Sequence, residues 1–175
     1  MKKAFTQKYR GSKTFKAPLD FVFAWCTDYR EDDVKMTGSK SRRTMLEKTP
    51  HRVVWVVTYK QEGKTREGLR VVWPHPPDAW ELDTCGDMAD WGERERGWYK
   101  LTPKGNNRTR LDMEFVLTYN SKRHFPEKKQ WLKELDELWD TLASFLEKDY
   151  KESLRKVEAK GLTTGRQAPR ATRGP

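Results

Sequence analysis

Few residues in this chain combine the type and the spacing that chemistry needs. Glu95 is the first candidate. On a strand over 93–101 it shares a face with Tyr99 and Leu101, so an inward register would bury a carboxylate. Such a group has a raised pKa and can act as an acid or a base. Gly97 lies two residues further on, and the simpler expectation is a bulge there. The bulge would send Glu95 to solvent and turn Arg94 and Arg96 inward, which suits an anionic headgroup. Cys26 and Cys85 lie far apart and form no CxxC, so they read as free thiols of a reducing compartment. Cys85 as a nucleophile would need a base that the sequence does not assign. His51, His75 and His124 fall in turns or loops without metal-ligand spacing. Asp83, Asp87 and Asp90 gather in one loop whose oxygens are too sparse for calcium. No nucleophile elbow, dinucleotide fingerprint or phosphate loop occurs. No catalytic residue, metal site or cofactor is therefore predicted.

The elements that would position these groups come from a chain of 175 residues, a usual length for one domain. Hydrophobic residues make up only 35%, yet there are eight Trp, six Tyr and seven Phe. A core built from a few large rings follows, with aromatic surface to spare for a ligand or partner. The net charge of +10 comes from 36 basic against 26 acidic residues. These alternate, as in Glu93-Arg94-Glu95-Arg96, which predicts a mixed solvated surface and not a nucleic-acid patch. Met1-Lys2-Lys3-Ala4-Phe5 starts like a signal peptide but no apolar stretch follows. No run approaches the ~18 apolar residues of a membrane span, and a cytoplasmic location is expected. The sequon Asn107-Arg108-Thr109 would be inert there.

Residues 5–16 read as a strand broken by Pro18. Leu19, Val22, Phe23 and Cys26 have helical spacing and predict a short helix over 19–27, followed by a helical turn over 31–36. Strands are predicted over 41–48, 52–59, 66–73, 80–84, 93–101 and 109–119. Glu62-Gly63 is a hairpin turn, and Pro74-His75-Pro76-Pro77-Asp78 a rigid loop. Pro126 opens a last helix whose apolar stripe runs through Trp131, Leu135, Leu138, Trp139, Leu142, Phe145 and Leu146 to a stop at Gly161. Residues 1–160 form one domain in this reading, and 161–175, with Arg166, Arg170 and Arg173, a disordered basic tail able to touch anionic lipid or nucleic acid weakly. The order implies an α+β fold: an antiparallel sheet of about seven strands that curls around the only large helix able to cover it.

Phe15-Lys16-Ala17-Pro18-Leu19-Asp20-Phe21-Val22-Phe23-Ala24-Trp25-Cys26-Thr27-Asp28-Tyr29 resembles the opening of START-related (SRPBCC) proteins, where a strand ends at a proline and a short helix ends near an aspartate. Tyr99 to Pro103 and Thr109 to Leu111 are similar to that family's last hairpin, and the long closing helix matches as well. The resemblance spans about residues 5–158 and implies a helix-grip fold with a deep apolar cavity. Relatives use that cavity for lipids, quinones, hormones or polyketides, and a minority are cyclases, hydrolases or hydroxylase subunits.

Alternation along the strands then gives the expected ligand-binding set. Leu111, Met113, Phe115 and Leu117 face inward, joined by Tyr99, Leu101 and Glu95 and by Trp55, Val57, Leu69, Val71, Trp80 and Leu82. Trp131, Leu135, Leu138, Trp139 and Leu142 meet them from the helix. At each position the alternative is a side chain that simply fills the core. The expected partner is a hydrophobic or amphipathic small molecule, with the short helix and the loop 86–92 gating access. A cyclase or dehydratase would need an inward polar pair at Glu95 and Tyr99, or at Tyr59 and Tyr119. An interaction module would use Trp73, Trp91 and Trp98 on the surface. The oligomeric state is not legible.

Overall fold

Seven antiparallel strands lie in the order β1-β7-β6-β5-β4-β3-β2, which is a meander except that the first strand closes onto the last. A computed structural model describes residues 4–61, 63–86, 94–122 and 125–164. The strands are β1 (Phe5–Phe15), β2 (Arg42–Lys48), β3 (Val53–Gln61), β4 (Lys64–His75), β5 (Ala79–Gly86), β6 (Arg94–Pro103) and β7 (Thr109–Tyr119). Between β1 and β2 stand α1 (Leu19–Thr27) and a 3-10 turn (Glu31–Lys35), and α2 (Lys128–Thr164) follows β7. The architecture is α+β: a helix-grip fold with one long C-terminal helix held in the hollow of a single sheet.

Local chemistry sets the boundaries. Pro18 precedes α1 with extended backbone, and its carbonyl accepts the first helical bond from Val22 N at 3.0 Å. Glu127 caps α2: its carboxylate accepts from Lys129 N at 3.0 Å and Gln130 N at 2.8 Å. The helix continues through Gly161 to Thr164, past the predicted stop. A single glycine costs only ~1 kcal/mol in a helix, so it ends one only when the following residues also turn away. The remaining tail, 165–175, lies outside the described residues, as do His124 and the loop 87–93 with Asp87, Asp90 and Trp91. No helix among the described residues is long and apolar enough to cross a membrane.

β7 shows the alternation most cleanly. Thr109, Leu111, Met113, Phe115, Leu117 and Tyr119 are buried and the residues between them are not. Across it, β1 puts Tyr9 opposite Phe115 and Gly11 opposite Met113. Here α2 lies close on the sheet. The Tyr9 and Trp131 rings are 4.4 Å apart and Phe115 meets Trp131 edge-on at 5.0 Å. A Cβ on Gly11 would stand 2.9 Å from a Leu135 methyl, so this close approach requires glycine. Lys13 reaches Asp136 at 3.2 Å and also pairs with Asp140. Further along, Phe15 packs edge-on against Trp139, and Leu146 is fully buried. The β1–β7 half of the hollow is therefore filled, each buried large side chain contributing ~1.5–3 kcal/mol.

Candidate functional site

The other half of the hollow is open. A cavity of about 350 Å³ lies between the concave face of β2–β6, the C-terminal end of α1, the 3-10 turn and the middle of α2. Its wall is set by register. Trp55 on β3 pairs with Arg70 on β4, which pairs with Thr84 on β5, so all three point into the hollow. Val57 lies two residues along from Trp55, and Leu82 two from Thr84. Trp80 pairs with Tyr99 across β5 and β6. Leu138, Trp139 and Leu142 close the cavity from α2, Trp25 and Cys26 from α1, and Arg43 from β2.

Two stacked ring pairs dominate the wall. Trp80 and Tyr99 stack at 4.8 Å with planes 8° apart, and Tyr29 and Trp55 at 4.7 Å. Gly97 makes room for the first pair, because a Cβ there would stand 3.0–3.3 Å from the Tyr99 ring and hydroxyl. The Arg43 guanidinium lies 4.9 Å from the centre of the Trp55 ring, within cation–π range. It is held there by donating to Asp33 at 2.8 Å and to the Arg30 carbonyl at 2.9 Å. Trp25 fastens α1 to α2 by donating its indole N–H to Asp149 at 2.9 Å.

Three groups of this wall, Cys26, Tyr29 and Tyr99, have their pKa raised by burial. Burial pushes the Cys26 thiol up to about 12. Burial also raises the Tyr29 phenol, with the Cys26 thiol adding to the shift and Arg43 opposing it. The Tyr99 phenol is raised by burial first and by the negative charge of Glu95 second. Among the residues lining this cavity, two nitrogens are buried without a hydrogen-bond partner, Nε of Arg43 and Nε1 of Trp55. Arg70 donates to the Thr84 hydroxyl, and among the described residues no carboxylate stands within ion-pairing distance of it.

Of the sequence-derived set, Trp55, Val57, Trp80, Leu82, Tyr99, Leu138, Trp139 and Leu142 come together on this wall. Leu101, Leu111, Met113, Phe115 and Leu117 are buried on the concave face but belong to the filled half, with Trp131 and Leu135 packed against them. Leu69 and Val71 are a correction. The inward side of β4 carries Gly68, Arg70 and Val72, and Leu69 is on the outer face at 39% exposure. Hydrophobicity pointed to the wrong face because this strand turns its arginines toward the hollow. Gly97 is a second correction: the register runs through it unbroken on both sides. Glu95 thus shares the concave face with Tyr99, half-buried but not on the cavity wall, while Arg94 and Arg96 are exposed and both pair with Asp83. The hydrogen bond from Arg94, helped by the charges of both arginines, holds Asp83 below the usual carboxylate range. His51 is exposed, and His75 lies 3.3 Å from Glu81 away from the cavity.

Sequence reasoning missed Arg43, Arg70, Trp25 and Tyr29. For Arg70 a signal existed. A two-residue link at 62–63 fixes the β3–β4 register, and an inward Trp55 then forces its partner Arg70 inward. A larger depression, about 680 Å³, lies around Trp98 and Lys100, on the face that Leu69 shares. Its charges satisfy one another, Arg10 with Glu114 at 2.7 Å and Arg110 with Asp112 at 2.8 Å.

No family model and no curated protein matches the chain. Solved structures do. A major latex-like protein from Panax ginseng aligns with TM-score 0.60 and 10% identity over 80% of this chain and 97% of its own. The Zhui aromatase/cyclase from Streptomyces sp. R1128 aligns with TM-score 0.55 and 14% identity over 90% and 99%. A START superfamily protein from Mycobacterium smegmatis aligns with TM-score 0.57 and 14% identity over 83% and 97%. At these identities the similarity concerns the backbone: the chain has the helix-grip fold of the START-related proteins that its motifs resemble.

Proposed function

We propose that this protein binds a hydrophobic or amphipathic small molecule in the cavity between the sheet and α2, as a carrier or sensor and not as an enzyme. One observation carries the proposal: half of the hollow is left unfilled, about 350 Å³ walled by two stacked aromatic pairs. Ordinary interiors leave few voids larger than a water, and pockets of this size with aromatic walls and a few placed polar groups are typical ligand sites. The fold neighbours include an enzyme, an aromatase/cyclase, so the choice of binding over turnover rests on this chain's own wall. Binding without turnover is favoured because the wall's carboxylates, Asp28 and Asp33, are already paired with Lys48 and Arg43, while Cys26, Tyr29 and Tyr99 have their pKa values raised. The basic segment 161–175 would add a salt-sensitive contact with anionic lipid during loading.

The test is native mass spectrometry and solvent extraction of the purified protein, followed by titration with fatty acids, quinones and aromatic polyketides. Co-purified ligand or saturable binding is expected. Leu142→Trp, which projects a larger ring into the cavity, should abolish that binding while the protein still melts cooperatively. The absence of any co-purified ligand, together with failure to bind every one of these classes, would falsify the proposal.

A further inference from the structure

The polar groups of the cavity wall are mismatched in one direction. Arg70 has no carboxylate partner among the described residues, and its only hydrogen bond is to a neutral hydroxyl. Beside it, the indole N–H of Trp55, a residue only 2% exposed, has no acceptor, and neither has Nε of Arg43 against the same ring. The phenols of Tyr29 and Tyr99 are further O–H donors. The wall's own acids stand near the 3-10 turn and are already engaged, Asp33 with Arg43 and Asp28 with Lys48. Leaving a buried donor unpaired costs ~1–3 kcal/mol, and an unpaired charge costs more. A bound molecule with acceptor oxygens would remove that cost, whereas a hydrocarbon would not.

Shape narrows the class. The cavity is near the lower end of the ~300–1,000 Å³ range for ligand pockets. Its walls are flat rings, Trp80 on Tyr99 and Tyr29 on Trp55. Flat walls favour a flat molecule, because offset stacking adds to area burial.

We infer that the ligand is a small planar aromatic carboxylate of one or two rings, its carboxylate held by Arg70 and its rings lying against Trp80 and Tyr99. The inference rests on the carrier function proposed above and specifies its ligand. A guanidinium offers two parallel N–H donors to a carboxylate, which fixes orientation as well as charge.

Calorimetric titration with naphthoate, its neutral counterpart naphthylmethanol, and octanoate separates the possibilities. Naphthoate should bind at least about tenfold more tightly than naphthylmethanol, the scale of a charge-assisted hydrogen bond, and more tightly than octanoate. Arg70→Gln should erase the preference for the acid, weakening naphthoate far more than naphthylmethanol. Arg70→Lys should restore part of that preference. Equal binding of naphthoate and naphthylmethanol, tighter binding of octanoate, or an acid preference that survives Arg70→Gln would each overturn the inference while leaving a carrier of neutral or acyl ligands standing. Should none of the three probes bind, the ligand class is refuted; the carrier function falls with it only if no ligand co-purifies and the fatty acids, quinones and polyketides fail as well.

Discussion

Cys26, Tyr29 and Tyr99 put into the cavity wall three groups that water would ionise in the alkaline range and burial does not. The sign of the effect on stability follows. Burial raises the folded-state pKa of Cys26 from 9.0 to about 12, so the folded state keeps a proton that the unfolded state loses first. The stabilisation is complete below pH 9 and is lost as pH rises toward 12, at up to about 1.4 kcal/mol per pH unit for each such group. Urea midpoints should therefore fall steadily above pH 9. In Cys26→Ser the decline should start later, near the ordinary tyrosine value of 10.0. An identical pH profile in that variant would contradict the burial of the thiol. Cys26 should also resist iodoacetamide at pH 8 in the folded protein and react only on unfolding.

At the level of elements, α2 does two jobs along its length. Its middle carries buried Trp139, Ala143 and Leu146, while Leu154 and Val157 near its far end are 46% and 69% exposed. Leu146→Ala should destabilise by ~2–5 kcal/mol through the cavity it leaves. Val157→Ala should stay within ~0.5 kcal/mol. Chemical denaturation of the two variants checks the contrast. On β6, Gly97→Ala would push against Tyr99, so it should disturb the Trp80–Tyr99 stack and weaken ligand binding more than it lowers stability. The element order, the β7 alternation and the apolar stripe of α2 could all be read from periodicity, because burial on one face imposes it. The β4 face could not be read from hydropathy, since Leu69 and Val71 make as good an apolar series as Gly68, Arg70 and Val72. Only the hairpin register decides between them. Tyr29 and Arg43 escaped notice for a different reason: they reach the cavity from a coil and an edge strand, and no short-range spacing ties them to Trp55.

For the molecule as a whole, ligand binding and folding are linked. A ligand at a hundred times its dissociation constant adds about 2.7 kcal/mol. For a domain of this size that raises the melting temperature by roughly 5–10 °C. Thermal melts with and without naphthoate should show such a shift in the natural sequence and a clearly smaller one in Arg70→Gln. Connectivity has its own consequence. Strands β2 to β7 each pair with their neighbours in sequence, but β1 pairs only with β7, Phe15 opposite Thr109 and Phe5 opposite Tyr119. On a ribosome adding ~5–20 residues per second, the first strand leaves the exit tunnel and waits about 5–20 s for its mate to be made. Throughout that interval Tyr9 and Phe15 have nothing to cover them, and the half-built hollow lacks the side that α2 later grips.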